Sequence, residues 1–285
     1  MPKLFWFHVN KKGKALQQPP ALPAIVITRP QAQAQRLAQQ IIARGREAII
    51  FPLLEIYPLR GEVELAELCT IMAQLDHYAM VVFVSPNAIH ATFQHIVQWP
   101  KHVDIGIVGE GSRAALAEHG VTNENAKIFS PPDLTKTDSE GLLQVLDLNS
   151  LRGERVLIVR GDGGRELLSD QLRAAGVNLS TITAYRRQAP VMTVALKKQL
   201  RELLDADNVW VLTSSEALRN LLDMVQQLEN SIESAINSDI NVAKIQRKKI
   251  VVSHTRIAET AHQCGFTDIT LTGSGDERLL DALQL

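Results

Sequence analysis

From Ala24 onward the chain alternates short β-branched runs with segments of helical periodicity, and two of these units repeat one internal spacing far apart in the sequence. The first runs from Ile25-Val26-Ile27-Thr28-Arg29-Pro30 through a helix with Leu37 and Ile41 on one face to Gly45, followed by a strand over 48–51. The second runs from Val156-Leu157-Ile158-Val159-Arg160-Gly161 through Leu168 and Leu172 to Gly176, followed by a strand over 178–182. In both, the two apolar helix positions and the closing glycine stand 8, 12 and 16 residues after the arginine that ends the strand. Strands alternating with helices dictate an α/β fold with parallel sheets, because parallel neighbours need a crossover that a helix supplies.

Two further pairs of units share a texture. Val82-Phe83-Val84-Ser85-Pro86-Asn87-Ala88-Ile89 resembles Val211-Leu212-Thr213-Ser214-Ser215-Glu216-Ala217-Leu218, each a buried strand that delivers hydroxyls to a helix start. Ile105-Gly106-Ile107-Val108-Gly109-Glu110-Gly111-Ser112 pairs with Ile250-Val251-Val252-Ser253-His254-Thr255, and each leads into an alanine-bearing helix closed by Gly120 or Gly265. The arginine unit comes first in one set and last in the other. If each lobe needs one unit of every kind, the chain must begin one lobe, build the second whole, and return. This order predicts a discontinuous α/β domain over 24–51 and 191–285, with an inserted α/β domain over 62–181. The crossings at 52–61 and 182–190 are extended-favouring, with prolines at Pro52, Pro58 and Pro190, so they are expected to pair as two antiparallel linker strands. A cleft between the lobes, at the C-terminal ends of the parallel strands, is where such a fold binds small molecules.

Length and charge narrow the partners. At roughly 150 residues per domain, 285 residues suit two domains. Thirty Lys and Arg against 31 Asp and Glu give a net charge of -1, too balanced for a general nucleic-acid coat. Cys69 and Cys264 form no metal-knuckle or disulfide pattern, and they fit two idle thiols in a reducing cytoplasm. The apolar run from Tyr78 to Val84 falls far short of the roughly 18 residues a membrane span needs. Leu4-Phe5-Trp6-Phe7 is too short for a signal-peptide core, and residues 1–23 read as a loose N-terminal extension. The polar stretch 229–249 ends in Gln246-Arg247-Lys248-Lys249 without interleaved aromatics, and it reads as an amphipathic helix with a solvated charge run.

The most conspicuous loop is Arg160-Gly161-Asp162-Gly163-Gly164-Arg165, set between a strand and a helix. It has neither the spacing of a dinucleotide fingerprint nor the Gly-Lys-Ser/Thr of a phosphate loop. Its glycines and arginines suit an anion held by backbone N–H groups and guanidinium bonds, and a tight strand-to-helix turn accounts for the same residues equally well. Ser85, Ser214 and Ser215 sit in no nucleophile elbow and are read as helix caps. The histidines show no paired metal spacing; His254, in a strand-end loop, is the one expected to point into the cleft.

In order, Thr28-Arg29-Pro30, Ser85-Pro86-Asn87-Ala88, Ser139-Glu140-Gly141-Leu142-Leu143, the Arg160–Arg165 loop, Tyr185-Arg186-Arg187 and Val252-Ser253-His254-Thr255-Arg256 resemble the bacterial uroporphyrinogen-III synthase family. The resemblance runs from about Ile25 to the C-terminus; the segment before Ala24 departs from it. It implies two α/β lobes joined by a two-stranded ladder, one lobe inserted in the other. It also implies a cyclising lyase that turns the linear tetrapyrrole hydroxymethylbilane into uroporphyrinogen III. The last pyrrole is inverted, water is lost and no cofactor or metal is used. Carried over to this sequence, Thr28, Arg29, Ser85, Asn87, Gly109, Arg160, Gly161, Ser214, Ser215, Ser253, His254 and Thr255 would line the cleft around an eight-carboxylate substrate. Tyr185 matches the family's hinge tyrosine, where its phenol can act as a general acid; a buried strand aromatic with a satisfied hydroxyl fits the position as well. The implied protein is a cytoplasmic monomer with a small-molecule partner, binding no nucleic acid and no membrane. Two other classes share these features: a two-lobed protein that closes on an anionic ligand without chemistry, and a non-catalytic scaffold.

Overall fold

The computed structural model describes residues 22–132, 138–164, 166–229 and 238–285. The N-terminal segment up to residue 21, Arg165 of the glycine-rich loop and residues 230–237 of the polar stretch lie outside the described residues.

The β-branched runs become two sheets. The chain passes through Ala24–Ile27 (β1), Gln31–Ala43 (α1), Ala48–Ile50 (β2), Glu55–Pro58 (β3), Glu62–Met72 (α2), Met80–Phe83 (β4), Pro86–Phe93 (α3), Asp104–Ile107 (β5), Glu110–Glu118 (α4), Ile128–Phe129 (β6) and Ser139–Leu143 (α5). It continues through Arg155–Gly161 (β7), Leu167–Ala174 (α6), Asn178–Gln188 (β8), Val194–Asp205 (α7), Asn208–Leu212 (β9), Ser215–Glu229 (α8), Ser238–Gln246 (α9), Lys249–Val252 (β10), Thr255–Gln263 (α10), Ile269–Leu271 (β11) and Asp276–Ala282 (α11). One sheet has the order β11-β10-β9-β1-β2 and is parallel throughout; the other has the order β3-β8-β7-β4-β5-β6. The first sheet therefore draws its strands from both ends of the described chain, and the second is built between them: two parallel-sheet α/β lobes, one inserted in the other.

The linker is where the structure departs from the sequence pattern. The stretch expected to split into a strand over 178–182 and a crossing over 182–190 is one continuous strand, β8. β8 pairs in parallel with β7 from Asn178 to Tyr185 and antiparallel with β3 from Tyr185 to Gln188. The two-stranded antiparallel ladder is thus an extension of the second sheet. Between Arg160 and Gly161 the β7–β8 register shifts, so Arg160 faces Thr183 while Gly161 faces Tyr185 and Ala184 is skipped. Such an irregularity re-aims side chains.

Alternation along each strand sends side chains to opposite faces, and both faces are covered, as parallel sheets require. Val26, Trp210, Leu212, Ile250 and Val252 join one cluster while Ile25, Ile27, Val209, Val211 and Val251 join the cluster behind them. In the second sheet Val81, Phe83, Leu157 and Val159 oppose Met80, Val82, Val156 and Ile158. The expected helix faces bury as their spacing demands: Leu37 and Ile41 on α1, Leu168 and Leu172 on α6. Ile245 near the end of the polar stretch is fully buried, so α9 adds a side chain to the core beside α7 and α8. Among the described residues no helix is long and apolar enough to cross a membrane.

Candidate active-site cleft

The C-terminal ends of β4, β7 and β9 converge on one cavity of about 780 Å³ between the lobes. β4 leads to Ser85, β7 to the Arg160–Gly164 stretch, and β9 to Ser214, Ser215 and Glu216. Tyr185 and Arg187 enter from β8, and Arg256, Glu259, Thr260 and Gln263 form one stripe of α10. A second cavity of about 390 Å³ shares Val84 and Ser85 with the first and is lined by Gly109 to Ser112 and Ser274 to Arg278.

Helix starts face the cleft because their strands end there. Ser85 is the N-cap of α3: its Oγ accepts the Ala88 N–H at 3.1 Å, with Pro86 in the first turn. Ser214 Oγ accepts the N–H groups of Glu216 and Ala217 at 3.2 and 3.4 Å, so the capping role read from the sequence is seen at both serines. Ser214→Ala is expected to cost about 1 kcal/mol of stability, the usual price of a lost cap, and urea denaturation of the two proteins checks it.

Tyr185 is buried, yet its hydroxyl borders the cavity and lies 3.0 Å from Ser85 Oγ. Its ring lies against the backbone of Gly161, where a Cβ would stand 2.7 Å from Cζ and 3.0 Å from Oη. Arg160 is also buried, and its Nη1 donates to Glu166 Oε1 at 2.8 Å. That guanidinium bond holds the Glu166 carboxyl below the usual carboxylate range. Arg187 ties three elements together: its N–H donates to Asp162 Oδ1, its Nη2 to the Asp162 carbonyl, and its Nη1 pairs with Glu216 Oε2 at 2.8 Å on the opposite lobe. Other polar contacts cross between lobes. Gln33 Nε2 donates to Asn87 Oδ1 at 3.0 Å. His254 Nδ1 accepts the Arg256 N–H, which leaves the proton on Nε2 to be donated to Asp138 Oδ2 at 3.1 Å.

Of the residues singled out from the sequence, Ser85, Arg160, Gly161, Ser214, Ser215 and Tyr185 meet at the main cavity, and Gly109 at the smaller one. The others are placed elsewhere. Thr28 is buried with its hydroxyl donated to the Val211 carbonyl at 2.7 Å, and Arg29 pairs with Asp276 at 2.6 Å. Asn87 holds the inter-lobe bond to Gln33, Ser253 is buried, and His254 and Thr255 open α10 outside the lining. Arg187 could have been found from Tyr185, since residues two apart on a strand share a face. Arg256, Glu259, Thr260 and Gln263 share one face of a helix, but only the tertiary structure says which face meets the cleft.

Among the described residues no group of three or more His, Cys, Asp and Glu side chains is placed to hold a metal. The profile of the family described as uroporphyrinogen-III synthase HemD matches residues 35–272. The uroporphyrinogen-III synthase of Escherichia coli K12 is 30% identical over 92% of this chain and all of its own length, and that of Salmonella typhimurium LT2 is 31% identical with the same coverage. A mutant uroporphyrinogen III synthase from the extremely thermophilic bacterium Thermus thermophilus shares the fold, with a TM-score of 0.57 at 13% identity over 92% of this chain and 99% of that one. With the profile spanning most of the chain and relatives at this identity aligned along their full length, the chain belongs to the uroporphyrinogen-III synthase HemD family.

Proposed function

We propose that this chain cyclises hydroxymethylbilane to uroporphyrinogen III, inverting the last pyrrole ring and releasing water. The observation that carries the reading is the 780 Å³ cleft between the lobes, bordered by arginines, helix starts and one tyrosine hydroxyl, in a member of this family. The chemistry asks little of a protein in the way of nucleophiles. A pyrrole nitrogen lone pair expels the terminal hydroxyl, and Tyr185 gives that hydroxyl its proton so that it leaves as water. The resulting azafulvene carbon bonds to the substituted position of the last ring, giving a spiro intermediate that fragments and recloses at the free position. Rearomatisation releases a proton, and the phenolate takes one back. What the cleft must supply is orientation, since unguided closure joins head to tail and gives the symmetrical isomer.

Eight substrate carboxylates need cations and N–H donors. Arg160 and Arg187 flank Tyr185 for this purpose, and the starts of α3 and α8 at Ser85, Ser214 and Ser215 add backbone N–H groups and the positive ends of two helix dipoles. Gly161 gives the Tyr185 ring room against the glycine-rich loop, and Gly109 extends the surface toward the smaller cavity. The lobes are taken as 24–51 with 191–285, and 62–181. The protein is taken as a monomer, and the free thiols of Cys69 and Cys264 suit the cytoplasm.

Purified protein supplied with freshly generated hydroxymethylbilane is expected to yield mainly the type III isomer, against the type I isomer from unassisted closure. Chromatographic separation of the oxidised products decides it, and type I alone would sink the proposal.

A further inference from the structure

The geometry points to Ser85 as a positioning residue for Tyr185: its hydroxyl donates to the phenolic oxygen and thereby turns the phenolic proton toward the cleft. This rests on the reading of Tyr185 as the acid. Oγ of Ser85 has two partners among the described residues, the Ala88 N–H at 3.1 Å and the Tyr185 hydroxyl at 3.0 Å. The first occupies a lone pair, because the N–H can only donate. Among the described residues Tyr185 Oη is the acceptor within reach of the serine's one proton, across a contact in which either hydroxyl can donate. In the opposite arrangement the tyrosine gives its proton to Ser85 and faces the cleft with lone pairs alone, so only a serine donor leaves the phenolic proton for the departing hydroxyl.

The donor is polarised by its own helix. The Ala88 N–H, at the third position of α3, is the donor aimed at Oγ. A hydroxyl that accepts a bond donates the next one more strongly. As Tyr185 loses its proton to the departing hydroxyl, the charge appearing on Oη faces the Ser85 O–H and the positive end of α3. The proton thus has one direction to travel, from Tyr185 into the cleft. Ser85 itself gives up no proton in this step; it shifts none of the atoms that form or break bonds.

The test compares kcat and KM for the isomer-forming reaction in Ser85→Ala, Ser85→Gly, Ser85→Thr, Tyr185→Phe and Ser85→Ala/Tyr185→Phe. Glycine is included because it caps a helix nearly as well as serine while lacking the hydroxyl, so it separates the donor from the cap. Ser85→Ala and Ser85→Gly are expected to lower kcat by roughly tenfold with KM little changed, a fraction of what a general acid contributes. Ser85→Thr, which keeps the hydroxyl, is expected to restore kcat to within about threefold, and in the Tyr185→Phe background Ser85→Ala should cost less than about twofold. An equal loss in both backgrounds would overturn the inference, as would a raised KM at unchanged kcat, which marks a substrate contact. Slow Tyr185→Phe beside an unimpaired Ser85→Gly removes Ser85 alone; undiminished turnover in Tyr185→Phe removes the acid and the relay together.

Discussion

Gly161→Ala is expected to reduce turnover about a hundredfold in a protein that still folds, because a misplacement of about 1 Å at a catalytic group can cost that much. A methyl added at Gly161 would stand 2.7 Å from Cζ, 2.8 Å from Cε2 and 3.0 Å from Oη of Tyr185, inside any real carbon contact. One partner must yield. The backbone of β7 cannot, since β4 pairs with it as far as Val159 and β8 as far as Gly161 itself. The ring cannot retreat either, because Tyr185 is buried in the cluster that contains Phe83, Val159 and Ala184. The phenol is therefore displaced toward the cleft and away from Ser85 Oγ. Overpacking of this kind costs about 1–3 kcal/mol, which leaves the fold standing. Circular dichroism of the variant beside its kcat checks both halves. In the Tyr185→Phe background the same methyl should add little, since the hydroxyl it displaces is already gone; an equal penalty there would mean that Gly161 meets the substrate directly.

That position also shows how far the sequence could be read. The spacing from Arg160 to Leu168, Leu172 and Gly176 was legible because helix faces bury at a fixed period and the closing glycine takes a left-handed conformation, φ +82° at Gly176. Parallel sheets and the insertion of one lobe followed from unit order. The partner of each side chain did not, because it belongs to a neighbour that periodicity cannot name. Thr28 and Ser85 both end strands and both carry hydroxyls, yet Thr28 is held by Val211, 183 residues on, while Ser85 meets Tyr185, 100 residues on. His254 could be placed at a strand end, but its bond to Asp138 needs both lobes folded. The skipped residue at Ala184 is invisible in the sequence, since Thr183-Ala184-Tyr185 reads as an unbroken strand, and that skip is what sets Tyr185 opposite Gly161.

The largest effect on stability is expected at Trp210, and it bears on catalysis through the other lobe. Trp210 is fully buried in β9, the middle strand of the first sheet, with Val26 and Ile250 beside it. Its ring meets Phe51 edge-on with centroids 5.9 Å apart, and its indole N–H donates to Asn208 Oδ1 at 2.7 Å. Asn208 is buried as well, and its amide donates to the Leu203 carbonyl, so the indole anchors a polar pair inside an apolar cluster. Trp210→Ala removes the packing, worth about 3–5 kcal/mol, and leaves the asparagine oxygen unpaired for about 1–3 kcal/mol more. Against a total of about 5–15 kcal/mol for a typical domain, that is enough to populate an unfolded first lobe at room temperature. Trp210→Phe keeps most of the apolar volume and loses the N–H, so its cost should be the smaller part. Urea denaturation followed by circular dichroism orders the three proteins. Ser214, Ser215 and the α10 stripe reach the cleft only from the first lobe, so isomer formation should fall with that lobe even while the second sheet, with Ser85, Gly161 and Tyr185 in place, remains folded. A Trp210→Ala protein that melts with the wild type would show that the cluster repacks around the loss.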